Sequence, residues 1–342
     1  MNAKPYPQVA PPPLPDSRVC ESRPFEHTGI DTAGPVDYKV GRVTKKGHIL
    51  VLTCAATRGI HIEFITSTSV EGVTMGLRRF FAIFGLPKTI QSDNHKSFVR
   101  CQKELMSVFK SPKMEKYLAD HRIIWKRYLE RSPWWGGYIE RQVQTVKQSL
   151  RKVIGSAALT FEEYTTYLYE VAALVNSRPI SFIYDRVDEG EPVSPAMLMG
   201  GKSLVQVPPL FEVNVDGKAP QMCSGRLKYL EKLKTYFWNR WTREYLADLK
   251  EIHARRPVGT QLREPTVGEA VLVRSEKLPR GKWKLGLIVG VKPGRDGHVR
   301  SVTVRVVRGK RVTRRGNVKN IPKIDLNRSP KHLVPLEAPD MS

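Results

Sequence analysis

The spacing of apolar residues in the first half of the chain predicts alternating strands and helices. Apolar or alternating runs predict strands at 27–31, 48–55, 59–65, 88–93 and 122–126. Apolar residues that recur every three or four positions predict helices at 68–84, 98–120, 135–153 and 161–177. The order β-β-β-α-β-α-β-α-α predicts an α/β fold in which helices flank a mixed sheet.

The pattern changes in the second half. Residues 182–261 are expected to form a connector, with one helical turn after Pro195 and a basic, aromatic helix at 226–251. Residues 262–338 are expected to form a small basic β-barrel with strands at 269–274, 283–292, 300–308 and 318–321. Residues 1–24 are rich in proline and predict an extended linker, which leaves 25–181 as the α/β domain.

The charge of the chain indicates a polyanionic partner. Its formal net charge is +24, and residues 251–342 alone carry 21 basic and 8 acidic side chains. Such an excess releases counterions from phosphates and speeds encounter with nucleic acid, so DNA is the first partner to expect. The basic run at 308–315 fits a nuclear localisation signal, a DNA contact or a solvated hairpin tip equally well.

The cysteines and the hydropathy bear on the cellular compartment. The four cysteines form no pair at metal-binding spacing, and no apolar run has the length needed to cross a bilayer. The sequence therefore predicts a soluble intracellular protein without a membrane partner.

Three acidic residues occur at the ends of predicted elements. Asp31 closes the first strand, Asp93 closes the fourth, and Glu140 lies near the start of the helix at 135–153. A single Asp at a strand end is more often a cap or turn residue than a ligand. Three such acids together suggest a metal site.

A polar stripe accompanies Glu140 along its helix. Gln144, Lys147 and Arg151 follow at helical spacing, on a different stripe from the apolar residues. Charges at this spacing usually form a solvated helix face. Because they share the stripe of Glu140, we interpret Lys147 and Arg151 as contacts to DNA phosphates and Gln144 as a contact to bases or phosphates.

Four motifs in the first half resemble the catalytic core of retroviral-type integrases. They are G-I-D-x-x-G-P at 29–35, S-D-N at 92–94, P-W-W-G-G-x-x-E-R at 133–141 and N-S-R-P at 176–179. The segment W-K-L-G-L-I-V-G-V-K-P-G-R-D-G-H-V-R at 283–300 resembles the basic domain after the integrase core in polyproteins of BEL/Pao-type LTR retrotransposons. The resemblance implies an RNase H-like fold with a five-stranded mixed sheet at 25–181, followed by an SH3-like barrel.

The resemblance also implies an activity. Asp31, Asp93 and Glu140 would form a D,D,E triad that binds two Mg²⁺ or Mn²⁺ ions, with Asp31 bridging both. Two hard cations held by carboxylates suit in-line phosphodiester chemistry on general grounds. The expected function is DNA integration, in which retroelement DNA ends are trimmed and joined to a target duplex. The protein is expected to form a homo-oligomer and to act in the nucleus.

One turn departs from the family pattern. The family continues S-D-N with Gly and then T-N-F, whereas this chain has His95-Lys96-Ser97-Phe98. In the family a zinc-binding domain precedes the core, and residues 1–24 do not resemble one. This difference and the altered turn lead us to expect a partial or decayed copy. The alternative function is a catalytically impaired or domesticated integrase-derived DNA-binding protein. A plain RNase H-type nuclease is a third interpretation, and the basic C-terminal domain argues against it.

Overall fold

A computed structural model describes most of the chain. The described residues are 21–92, 111–127, 133–155, 157, 159–181, 192–200, 225–255, 264–274, 280–307 and 323–337. The chain divides into two compact units, of which unit 1 comprises 1–147 with 156–168 and unit 2 comprises 148–155 with 169–342. The predicted boundaries of the four segments stay predictions.

Unit 1 is organised around a mixed sheet. Its strands are β1 (His27–Val40), β2 (Val43–Cys54), β3 (Ile60–Ile65), β4 (Thr89–Ser92) and β5 (Ile124–Arg127), in the spatial order β3-β2-β1-β4-β5. The pairs β1–β2 and β2–β3 are antiparallel, whereas the pairs β1–β4 and β4–β5 are parallel. Five strands in a mixed sheet confirm the prediction. A short sixth strand that was not predicted, β6 (Leu159–Thr160), pairs with the far end of β1.

The first strand is longer than predicted. Asp31 was expected to end it, but β1 continues to Val40 and pairs with β2 on both sides of Asp31. A register shift between Ala33 and Val36 bends the strand after the acid, beside a cis peptide bond between Gly34 and Pro35. The placement of Asp31 at a strand end was therefore wrong, because residues 36–40 also pair with β2 and extend the strand.

Two helices of unit 1 begin at serine caps. In α1 (Val70–Phe84), the Ser69 hydroxyl accepts a hydrogen bond from the amide of Gly72. The helix therefore begins at Val70, two residues after the start predicted at 68. The helix stops at Gly85, whose φ of 79° favours glycine. The second helix, α2 (Pro112–Asp120), covers the end of the region predicted at 98–120, and residues 98–110 lie outside the described part.

A buried charged cluster lies under α1. All six residues of β3 are buried, so the strand does not alternate as its sequence suggested. Glu63 is fully buried, and its carboxylate contacts His61 at 2.9 Å and Arg79 of α1 at 2.8 Å. Arg79 also donates to the carbonyl of Phe64 at 2.9 Å. These partners compensate for burial of the carboxylate.

Two helices contribute to both units. They are α3 (Pro133–Ile154) and α4 (Phe161–Asn176). In unit 1, the Tyr164 hydroxyl of α4 donates to the carbonyl of Asp37 at 3.0 Å. In unit 2, the Ser149 hydroxyl of α3 donates to the carboxylate of Glu244 at 2.8 Å.

Unit 2 combines helices with a second sheet. Its further elements are α5 (Pro195–Gly200), α6 (Gly225–Arg255), β7 (Ala270–Val273), β8 (Leu285–Pro293), β9 (Val299–Val307), β10 (Lys323–Arg328), a 3₁₀ turn (Pro330–His332) and β11 (Leu333–Pro335). The antiparallel strand order is β10-β9-β8-β7-β11. The last strand predicted at 318–321 lies outside the described residues, and β10 and β11 were not predicted. Strand pairs within the described residues form an open path, so closure into a barrel stays a prediction.

The helix α6 supplies the aromatic core of unit 2. Phe237, Trp238, Trp241 and Tyr245 are buried, and the ring of Trp283 lies 5.3 Å from that of Trp238 and 5.8 Å from that of Tyr245. The sequence had indicated a basic and aromatic surface on this helix. For these four residues that was wrong, because they share one helical face that packs inward.

Candidate active site

The pairing of β1 with β4 defines the surroundings of Asp31. The two strands run in parallel, with His27 opposite Thr89 and Ile30 opposite Ser92. Ile30 immediately precedes Asp31, and Ser92 immediately precedes Asp93. The residues before two of the three predicted ligands therefore form a strand pair, although Asp93 itself lies outside the described residues.

Both oxygens of the Asp31 carboxylate have a partner within the protein. The amide of Thr32 donates to Oδ1 at 2.7 Å, and Oδ2 forms an ion pair with Nζ of Lys147. The side chain of Asp31 is 27% exposed, whereas that of Lys147 is only 9% exposed. Asp31 therefore presents an oriented carboxylate that solvent reaches and a mostly buried ammonium group neutralises.

The helix α3 brings Lys147 to this carboxylate. Val143, Val146 and Leu150 are buried along its inner face, and Lys147 lies among them. Because the lysine stem is apolar, it can pack on such a face while the ammonium group reaches a polar partner. The sequence had placed Lys147 on the polar stripe as a phosphate contact. Its ion pair with Asp31 was not anticipated.

The other residues of that stripe have different surroundings. Gln144 and Arg151 are exposed, so they are accessible to a ligand. Glu140 belongs to α3 seven residues before Lys147, which is nearly two full turns and places both Cα atoms on one side of the helix, about 10.5 Å apart along its axis. The side chain of Glu140 is outside the described part of the structure, as is His95.

The described residues contain only part of the predicted metal site. No group of three or more His, Cys, Asp or Glu side chains among them could hold a metal ion. Asp31 alone of the three predicted ligands has a described side chain. Its donor atoms are hard oxygens of the kind that Mg²⁺ and Mn²⁺ prefer.

The length and apolar character of the helices decide whether they could span a membrane. Within the described residues, none has both the length and the apolar character to cross one.

A sequence model of a family of unknown function, DUF5641, matches residues 225–322. The match begins at the first residue of α6 and runs past β9. The family model therefore includes both the helix α6 and most of the second sheet of unit 2. It covers less than half of the chain. No curated protein matches this sequence.

Solved structures similar to the chain include integrases. The catalytic core domain of BIV integrase has 14% identity and a TM-score of 0.35, covering 51% of this chain and 93% of that chain. A simian T-cell lymphotropic virus intasome in complex with a PP2A regulatory subunit has 11% identity and a TM-score of 0.38, covering 96% and 84%. The HTLV-2 integrase catalytic core domain in complex with magnesium has 13% identity and a TM-score of 0.33, covering 52% and 97%. Likeness at this level does not assign a function to this chain.

Proposed function

We propose that this chain is an integrase-type polynucleotidyl transferase of a BEL/Pao-like retroelement. It would trim retroelement DNA ends and join them to a target duplex, with Asp31, Asp93 and Glu140 as its carboxylate triad. The observation that carries the proposal is the strand pair Ile30–Ser92, which directly precedes two of these acids. Because paired parallel strands lie side by side, the residues that follow this pair, Asp31 and Asp93, would lie close together.

The helix α3 supports the third assignment. Lys147 of α3 contacts Asp31, and Glu140 belongs to the same side of that helix. A helix fixed against Asp31 through Lys147 is suited to bring a second carboxylate toward the strands. The three acids would then face one cleft.

The residues fit divalent ions by their donor chemistry. Three carboxylates supply hard oxygen ligands and leave the remaining positions to water and DNA phosphate. Two bound divalent ions would activate the attacking hydroxyl or water and stabilise the leaving oxygen. Thr32 orients the carboxylate of Asp31 through its amide, and Lys147 balances the charge of that carboxylate until substrate is bound. On DNA binding, the ammonium group of Lys147 would turn from the Asp31 carboxylate to a DNA phosphate, with Gln144 and Arg151 as further phosphate contacts.

The C-terminal sheet would also bind DNA. We propose that its strands close into an SH3-like barrel whose surface binds phosphates without sequence preference. The protein would act as a homo-oligomer in the nucleus, because joining two DNA ends to one target needs more than one copy.

A second candidate is a DNA-binding protein that retains the fold without catalysis. His95 favours it, since an imidazole follows S-D-N where the related integrases carry glycine. The two candidates make the same prediction for DNA binding. They differ for DNA joining.

A joining assay tests the proposal. Labelled duplex ends are incubated with target DNA and Mg²⁺, with EDTA as the metal-free reference. Asp31→Asn keeps the shape of the side chain and should abolish joining while DNA affinity changes little. Asp37→Asn is the matched control, because Asp37 lies on the same strand in an ion pair with Lys46 at 2.6 Å and is not a predicted ligand.

Two outcomes would reject the enzymatic proposal. Joining by Asp31→Asn at the wild-type rate would remove Asp31 from the chemistry. DNA binding without joining in the wild type, at every divalent ion tested, would select the second candidate.

A further inference from the structure

The outer face of α6 carries a continuous exposed stripe. Its members lie within about 100° of one another around the helix axis and extend for about 22 Å. They are Lys228, Tyr229, Lys232, Tyr236, Asn239 and Arg243, called the α6 stripe below. The geometry points to this stripe as a binding surface for single-stranded nucleic acid.

The stripe is separated from the packing face of the same helix. Trp238, Trp241 and Tyr245 are buried in the core of unit 2, whereas Tyr236 is 57% exposed and Tyr229 is 36% exposed. The helix thus buries one set of aromatic residues and displays another. Two aromatic rings displayed on one exposed stripe are not explained by the packing of unit 2.

The stripe lies in a part of α6 that has few acidic residues. Between residues 225 and 243, Glu231 is the only acidic residue. Its carboxylate contacts Lys234 and Arg280 at 2.5 and 2.6 Å, so it is already neutralised within unit 2. The exposed cations of the stripe therefore attract a polyanion.

The alternation of cations and tyrosines favours a single strand over a duplex. Tyr229 and Tyr236 are seven residues apart, which sets their Cα atoms about 10.5 Å apart along the axis with Lys232 between them. Bases of a single strand can stack on such rings while the phosphates lie on the lysines. In a duplex the base faces are already stacked and inaccessible, so the tyrosines would add little. The guanidinium carbon of Arg226 lies over the ring of Tyr229, 5.5 Å from its centre, and adds a further cation to this surface.

This inference rests on the proposed function only in taking nucleic acid as the partner. It requires no divalent ion and no carboxylate triad. The stripe would hold a DNA strand that is unpaired, for example at a processed end.

Binding of labelled oligothymidylate to the full chain in EDTA tests the stripe. Replacing both tyrosines, Tyr229→Ala with Tyr236→Ala, should weaken binding about tenfold or more, since each lost stack is worth about 1–3 kcal/mol. The double change to Phe retains the rings and should bind like wild type. Lys232→Gln should lower the slope of log affinity against log salt by about 0.7, whereas Lys39→Gln, an exposed lysine of β1, should not.

Other results would overturn the inference. Unchanged affinity in the double Ala variant, with an unchanged unfolding midpoint, would remove the tyrosines from binding. Equal loss of duplex and single-strand binding would mean a general phosphate surface. A change in sedimentation without a change in DNA binding would assign the stripe to self-association. Because Asp31→Asn should bind the oligonucleotide normally, failure of the joining assay would not affect this result.

Discussion

Arg178 and Glu337 form a buried ion pair although 159 positions separate them along the chain, with Nε of Arg178 donating to Oε1 of Glu337 at 2.9 Å. Arg178 is fully buried and also donates to the carbonyl of Val175 at 3.1 Å. The hydroxyl of Tyr245 on α6 donates to the same carboxylate oxygen at 2.9 Å. The N-S-R-P motif thus anchors the segment after β11 to α4 and α6 within unit 2.

We expect Arg178→Ala to destabilise unit 2 by about 3–5 kcal/mol, because it leaves a buried carboxylate without its cation. Urea unfolding followed by tryptophan fluorescence measures this through the midpoint. The control is Arg305→Ala, which breaks an exposed cross-strand pair with Asp325 and should shift the midpoint little. If both variants unfolded at the same urea concentration as wild type, the buried pair would not contribute to stability.

The sequence predicted the elements of this region better than their contacts. Helical spacing located α4 and α6, and the predicted separation of strands at 283–292 and 300–308 agrees with β8 and β9. The partner of Arg178 could not be predicted, because a contact across 159 positions depends on the path of the whole chain. The motif had been interpreted only as part of an integrase core.

Glu231 provides a pH-dependent contribution to unit 2. Burial raises the pKa of its carboxyl, but hydrogen bonds from Lys234 and Arg280 outweigh burial and leave the pKa below its ordinary value. A carboxyl with a lowered folded-state pKa stabilises the fold above its unfolded-state pKa. That contribution is lost as the pH falls through the folded-state pKa.

We therefore expect Glu231→Gln to unfold at lower urea concentration than wild type near neutral pH. The difference should shrink as the pH falls below the ordinary range of a glutamate. Midpoints measured across that range give the comparison, with Glu251→Gln as an exposed control on the same helix. A difference that grew on acidification would have the wrong sign and would refute the assignment.

The basic sheet of unit 2 should contribute phosphate contacts. Deleting residues 262–342 would also remove Trp283 from the aromatic core of α6, so charge changes test this better than truncation. Replacing Lys282, Lys292 and Arg295 by Gln should reduce the salt slope of duplex binding by about 0.9 for each lost phosphate contact. Fluorescence anisotropy at several salt concentrations gives the slope.

A triple variant with the same charge change serves as the control. Lys39, Lys113 and Lys116 are exposed lysines outside the second sheet, and their replacement by Gln should leave the slope unchanged. Equal slopes for both triple variants would assign duplex binding to net charge and not to the sheet.

The sequence proposed three acids for the candidate site but did not indicate that Lys147 pairs with Asp31. The choice of Asp31 came from its motif and from an expected strand end that the structure contradicts, and Ile30, the residue before it, pairs with Ser92 of β4. The sequence could not show that Lys147 turns toward Asp31, because the polar stripe and the apolar face of α3 overlap at that position. A lysine between Val143, Val146 and Leu150 was the available signal.

His95 is the residue on which the two candidate functions differ. Glycine after S-D-N permits a positive φ and leaves space beside the acids, whereas His95 adds a Cβ and an imidazole. We expect weak joining by the wild type and a rise in Mg²⁺-dependent strand transfer for His95→Gly, with DNA affinity little changed. Strong and equal joining by both variants would show that the imidazole is accommodated. Joining that stays absent in His95→Gly would mean that the defect is elsewhere.

The ion pair between Lys147 and Asp31 makes a prediction about divalent ions. The ammonium group and a metal ion would compete for the same carboxylate, so Lys147→Gln should lower the Mg²⁺ concentration that gives half-maximal joining by several-fold. Maximal joining should also fall, because the proposed phosphate contact is lost. Lys152→Gln is the control, since this exposed lysine of the same helix pairs with Glu244 at 3.5 Å and not with a predicted ligand. A Mg²⁺ titration that is identical for Lys147→Gln and wild type would show that Lys147 does not compete for the site, and the ion pair would then have only a structural role.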